Sequence, residues 1–137
     1  MNIRPAATPD EDLRRAIAAP LLRFNEDVAG ASGYELLALA LTDDAGQAVG
    51  GLWGHTTYGW LYTQMLAVPE SCRGQGWGRR LMAQAEAEAL RRGCHHAWVD
   101  TIFGARPFYE GLGYRVFGEL PNFPTGFTRS FLMKDLA

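Results

Sequence analysis

Gln64-Met65-Leu66-Ala67-Val68-Pro69, followed at once by Arg73-Gly74-Gln75-Gly76-Trp77-Gly78-Arg79, is the stretch that decides the fold. The apolar run from Trp60 to Val68 reads as a strand, and Pro69 stops it. The glycine-rich loop then opens the strongest helical pattern in the chain, Trp77 to Arg92. Leu81, Met82, Ala85 and Ala89 recur on one side of it, and Glu88 and Arg92 form an i,i+4 pair in the favourable order. Strand, glycine loop, helix is a recipe for gripping phosphate. The first helical turn has unpaired N–H groups and the positive end of the macrodipole, and glycine lets an anion approach the backbone. A Walker loop needs Gly-Lys-Ser/Thr, whereas Gly78 precedes Arg79-Arg80. A dinucleotide fingerprint needs Gly-x-Gly-x-x-Gly, and this loop reads Gly-x-Gly-x-Gly.

Outward from the loop, turn signals divide the chain. Upstream, residues 2–5 read as a short first strand. Thr8-Pro9-Asp10-Glu11-Asp12 starts a helix that should break or restart at Pro20 and end by Gly30-Ala31-Ser32-Gly33. Tyr34 to Thr42 reads as a buried strand, Asp43-Asp44-Ala45-Gly46 as a turn, and Gln47 to Thr57 as a second strand leading to the third at Trp60. Downstream, Gly93 stops the helix, and Cys94 to Ile102 is a strand. A short helix falls at 105–111, a strand opens at Gly113, and a last strand spans about Gly126 to Lys134. No repeat or linker interrupts this order, so 1–137 reads as a single domain.

The loop resembles the pyrophosphate signature of the GNAT N-acetyltransferases, Arg/Gln-x-x-Gly-x-Gly/Ala, with Arg73, Gly76 and Gly78 in its positions. Ala105-Arg106-Pro107-Phe108-Tyr109-Glu110-Gly111-Leu112-Gly113-Tyr114 resembles that family's second signature. The resemblance covers about Trp60 to Phe117. It implies an α/β fold with a mixed, mostly antiparallel sheet flanked by helices. In it the fourth strand, here Gln64–Pro69, carries a bulge and splays from the fifth. It also implies acetyl-CoA as donor. The pantetheine arm would lie along the backbone of Leu66, Ala67 and Val68, and the pyrophosphate on Arg73, Gly74, Gln75, Gly76, Trp77, Gly78 and Arg79. It places the Tyr109 hydroxyl by the cofactor sulfur, where a phenol with pKa near ~10 can protonate or hydrogen-bond the leaving thiolate. The glutamate that some members carry on the fourth strand has no counterpart in Tyr62-Thr63-Gln64-Met65. Glu26, Asp27, His55, Glu70 and Asp100 are left as candidate bases.

Composition narrows the partners. A net charge of −2, with 13 Lys+Arg scattered along the chain, gives no footprint for nucleic acid or anionic lipid. No apolar run suits a bilayer, and two cysteines, Cys72 and Cys94, suit free thiols in a reducing cytoplasm. Cys94-His95-His96 does not suit a metal, because neighbours on a strand face opposite ways. Aromatic residues make up 12% of the chain, enough to line a pocket as well as fill a core. Acetyl transfer to the amine of a small molecule is therefore the leading expectation. Phe24, Asn25, Glu26, Trp53, Trp60 and Gln64, with Tyr58 and Tyr62 beside them, are the acceptor-side candidates. A protein or peptide acetyltransferase and a non-catalytic acyl-CoA-binding module are the rivals, and a homodimer fits the family's habits.

Overall fold

The structure is a computed structural model that describes residues 1–137. By its contacts the chain divides into two compact units, Met1–Ser32 and Gly33–Ala137. The first holds one helix, α1 (Glu11–Ala29). Asp10 caps it by accepting the Leu13 N–H at 2.9 Å, and Glu11 and Asp12 place negative charge at the positive helix end. The helix runs through Pro20 without a break. Proline costs about 3 kcal/mol in a helix interior, but it removes only one donor, and a good helix-forming segment lies on each side of it. Residues 2–5 form no strand: Pro5 lacks a donor, and this unit contains no strand edge to pair with.

The second unit is a six-stranded sheet in the order β1-β2-β3-β4-β6-β5, with β1 (Glu35–Thr42), β2 (Ala48–Thr57), β3 (Trp60–Ala67), β4 (His96–Thr101), β5 (Arg115–Pro121) and β6 (Thr128–Asp135). Only β3 and β4 pair in parallel, joined by the crossover helix α2 (Trp77–Arg91); every other neighbour is antiparallel. The short helix α3 (Arg106–Gly111) connects β4 to β5. This is the mixed, mostly antiparallel sheet that the sequence resemblance implies. The strand which the family counts as fourth is β3 here, because no strand forms at the N-terminus.

One face of the sheet is the core. Leu52, Leu61, Val99 and Leu132 meet Met82, Ala85 and Ala89 of α2, together with Tyr109 and Tyr114. The helical periodicity thus marks the buried face of α2 correctly. On β1 only Leu37 is buried, because the strand is an edge with a single neighbour. Arg92, just past α2, pulls this layer together. It donates to Glu88 at 2.9 Å and to the Thr56 hydroxyl at 3.1 Å.

Two irregularities open the sheet at β3. Gly54 pairs with Thr63 while Trp53 pairs with Met65, so Gln64 is an extra residue and β3 is bulged there. Glycine at 54 permits the approach: a Cβ would lie 2.1 Å from the Tyr62 carbonyl oxygen. Beyond this point β3 and β4 separate. Their register covers only Trp60–Thr63 against His96–Val99, so the β4-facing edge of β3 past Thr63 has no strand partner.

Candidate functional site

The opened edge of β3 leads directly to the start of α2. Gly76, the N-cap of α2, has φ +84 and no side-chain cap, and the first N–H bonded back into the helix is that of Arg80, to the Gly76 carbonyl. The N–H groups of Trp77, Gly78 and Arg79 are thus left for a ligand at the positive end of the helix. Gly74 and Gly76 both take left-handed φ, and added Cβ atoms there would meet open space. Left-handed backbone and room for an anion are what keep these positions glycine. Gly78 has a different reason: its Cβ would press on the Phe108 ring at 3.3 Å, which brings α3 against the first turn of α2.

Around these groups lies a cavity of about 670 Å³. Leu66, Ala67, Val68, Arg73, Gly74, Gly76, Trp77, Gly78 and Arg79 line it, and so do Cys72, Ala105 and Phe108. Nine of the ten residues expected to hold the cofactor are therefore brought together. Gln75 is not on the wall; its side chain accepts from the Trp77 indole at 3.2 Å. Arg73 donates to the Val68 carbonyl at 3.2 Å, which fastens the loop to the end of β3. Sequence reasoning misses Cys72, Ala105 and Phe108. The Phe108-Tyr109 dipeptide is the available signal for the last, since neighbours on a short helix diverge and the signature assigns a role to only one of them.

Tyr109 sits on α3, 7% exposed, edge-on to Phe108 at 5.1 Å and to Tyr114 at 5.9 Å. Burial, and then the charge of Asp100, push its pKa above the ordinary tyrosine value, so it is a protonated phenol at neutral pH. Its hydroxyl has no hydrogen-bond partner in the protein. Tyr114 contrasts with it. That hydroxyl is tied to Glu86 at 3.5 Å, and Glu86 in turn takes the Lys134 ammonium at 2.5 Å.

The opposite face of the sheet is aromatic. Tyr62 stacks on Trp98 at 4.0 Å and meets His55 edge-on at 5.5 Å, and His55 also touches Tyr34 at 4.9 Å. Partial burial lowers the His55 pKa below 6.5. The Tyr62 hydroxyl donates to Asp100 at 2.6 Å, and Arg129 of β6 pairs with the other carboxylate oxygen. Sequence reasoning does not find this network as a unit. Its members lie 38 and 29 residues apart, and no local pattern links them.

The acceptor-side candidates lie on several different elements. Trp53 and Gln64 lie at the bulge, with Trp53 opposite Met65. Trp60 stands at the other end of β3, roughly 13 Å along the strand from Gln64, where it stacks on His96 at 4.7 Å. Tyr58 is in the β2–β3 turn. Phe24, Asn25 and Glu26 belong to the last turns of α1 in the unit Met1–Ser32. Of the candidate bases, Glu26 and Asp27 are also on α1, Glu70 opens the single 3₁₀ turn Glu70–Cys72, and His55 and Asp100 share the aromatic face of the sheet.

Comparison with known proteins agrees with this geometry. The acetyltransferase (GNAT) domain profile matches residues 21–116. Blasticidin-S acetyltransferase of Streptomyces morookaense is 39% identical over 104 residues, 74% of this chain and 76% of that one. The crystal structure of an acetyltransferase from Agrobacterium tumefaciens superposes with TM-score 0.93 at 38% identity, covering 98% of this chain and 99% of that one. An aminoglycoside 6′-N-acetyltransferase complexed with coenzyme A shares the fold, with TM-score 0.67 at 21% identity over 92% and 88% of the two chains.

Proposed function

The chain belongs to the GNAT family of acetyltransferases, and on that premise we propose that it moves an acetyl group from acetyl-CoA directly to the amine of a small molecule. One observation carries the donor assignment. A single cavity joins the unpaired N–H groups at the start of α2 to the unpaired edge of β3. Pyrophosphate needs the first and a pantetheine amide chain the second. Arg79 and Arg73 add positive charge beside the helix end. The relative named for blasticidin S supports a small acceptor.

In this reading the thioester lies near the point where β3 leaves β4. The acceptor nitrogen attacks the acetyl carbon as a neutral amine, and an N–H of the opened β3 edge meets the oxyanion. The carbon–sulfur bond breaks as the amide forms. The nitrogen gives up one proton to solvent, the Tyr109 hydroxyl donates a hydrogen bond to the departing thiolate, and the thiolate takes its proton from solvent. Amide and free CoA are the products.

The test is thiol release from acetyl-CoA across a broad panel of aromatic, aliphatic and guanidinium-bearing amines and lysine-rich peptides. Mass spectrometry then identifies the acetylated product. Turnover confined to small amines is expected. Faster turnover of the peptides, with a steep loss on adding salt, would replace this reading with a peptide acetyltransferase. Tight binding of acetyl-CoA with no turnover on any arm would leave an acyl-CoA-binding module.

A further inference from the structure

We propose that Asp100 is the residue that receives the amino group of the acceptor, and that its charge restricts the enzyme to cationic amines with no carboxylate beside the reacting nitrogen. The inference rests on the acetyltransferase reading and adds the acceptor's charge to it. It begins with position. Thr63 and Val99 are the last residues paired between β3 and β4, so Asp100 is the first residue of β4 beyond the fork. Its side chain leaves the sheet on the face of Tyr62, whose hydroxyl it holds at 2.6 Å.

The carboxylate is fixed yet unsaturated. Tyr62 donates to one oxygen and Arg129 to the other, while two carboxylate oxygens offer about four acceptor sites. The Arg129 guanidinium itself lies over the Phe123 ring, its central carbon 4.3 Å from the ring centre. Tyr62 and Arg129 are positioning residues: they lock the rotamer of Asp100 and leave lone pairs directed elsewhere.

Two buried side-chain polar atoms lack a partner in the protein, the Thr63 hydroxyl and Nε of Arg129. Thr63 closes the fork and Arg129 contacts Asp100. Thr63 alternates with Tyr62 along β3 and faces the core side of the sheet, so of the two only Arg129 borders this carboxylate.

Other carboxylates of this unit are engaged away from the fork. Glu86 holds Lys134, Glu88 and Glu35 hold Arg92, Glu110 and Glu119 hold Arg106, and Asp135 holds His96. Asp100 stands at the first position of β4 beyond the fork, and in this proposal it supplies the negative charge that an amine meets on approaching the thioester. A neutral amine donates one N–H to it. As the carbon–nitrogen bond forms and the nitrogen becomes positive, that contact strengthens. A carboxylate on the adjacent carbon would be pressed against Asp100 and repelled.

The experiment compares each amine with its α-carboxylated counterpart, phenethylamine with phenylalanine and agmatine with arginine, in wild-type protein, Asp100→Asn and the double variant Asp100→Asn/Arg129→Gln. The double variant removes both charges together, so no buried cation is left unpaired. Thermal melts and acetyl-CoA calorimetry establish that fold and donor site are intact. Wild-type protein should favour the carboxylate-free amine by about 30-fold or more in kcat/KM. Both variants should lose at least about 30-fold on that amine, shrink the preference to within about threefold, and keep the wild-type affinity for acetyl-CoA. A merely structural role would lower both substrates together. Preference for the amino acid in wild-type protein, or a preference unchanged in both variants, overturns the inference and leaves the acetyltransferase reading standing. Absence of turnover on any amine by protein that binds acetyl-CoA overturns both.

Discussion

Replacing Tyr109 with Phe removes one oxygen from a side chain that is 7% exposed and whose hydroxyl touches no hydrogen-bonding group of the protein. The ring contacts with Phe108 and Tyr114 need only the aromatic shape, so they persist. Stability should therefore change by less than about 1 kcal/mol, because no internal hydrogen bond is lost. Catalysis should respond quite differently. Burial and the Asp100 charge hold the phenol above its ordinary pKa, so it is a weaker acid than the thiol it would protonate. Complete proton transfer to the departing sulfur is then uphill, and the group acts mainly as a hydrogen-bond donor to developing thiolate. A hydrogen bond to a charged atom contributes about 1.5–3 kcal/mol. At 1.36 kcal/mol per tenfold in rate, Tyr109→Phe should lower kcat by roughly 10- to 150-fold.

The assay is single-turnover thiol release at saturating acetyl-CoA and amine, paired with calorimetry of acetyl-CoA on both proteins. Affinity should match within about threefold, while the chemical step slows. The raised pKa fixes the sign of the pH effect. The donor is lost only on ionisation, so any alkaline decline due to Tyr109 should begin above about pH 10, the reference value, and be absent from the variant. An unchanged single-turnover rate would refute the leaving-group role. Loss of acetyl-CoA affinity in place of rate would make Tyr109 a wall of the donor cavity.

Gly76→Asp should abolish most acetyl-CoA binding, at least about 100-fold by calorimetry, and leave the fold intact. The position is open, Asp tolerates left-handed φ better than most residues, and its carboxylate would compete for the N–H groups of α2. Wild-type affinity in this variant would remove the pyrophosphate from that loop. Gly54→Ala should cost about 3 kcal/mol or more in urea unfolding, since the new Cβ meets backbone, which cannot swing aside; a loss under about 1 kcal/mol would show that the bulge relaxes freely. His55 has a folded pKa below its unfolded value of 6.5, so the unfolded chain binds more protons there. Its share of stability is present above pH 6.5 and is lost as pH falls toward the folded pKa. His55→Gln should then show a shallower fall in Tm between pH 7 and pH 5, and parallel curves would contradict this.

Legibility in the sequence tracks the range of the forces involved. The donor side is local. A strand stopped by Pro69, glycines at left-handed positions and a helix opening at Trp77 are neighbours in the chain, and their spacing alone brings Leu66 to Arg79 around one cavity. The core face of α2 is legible for the same reason, because 3.6-residue periodicity is a local rule. Proline misleads in one place and informs in another: at Pro69 it ends β3, whereas at Pro20 intact turns on both sides carry α1 through. The acceptor side is decided by register. Whether Asp100 meets Tyr62 depends on β3 and β4 pairing in parallel as far as Thr63–Val99 and no further, and on β6 entering between β4 and β5 to bring Arg129 alongside. A one-residue slip in either pairing would turn these side chains to the opposite face. Trp60 and Tyr62 show the consequence. Two residues apart and on the same face, they sit differently: the first stacks on His96 away from the fork, and the second reaches Asp100 beside it. Aromatic content could suggest a pocket, but only the long-range register selects which aromatics border it.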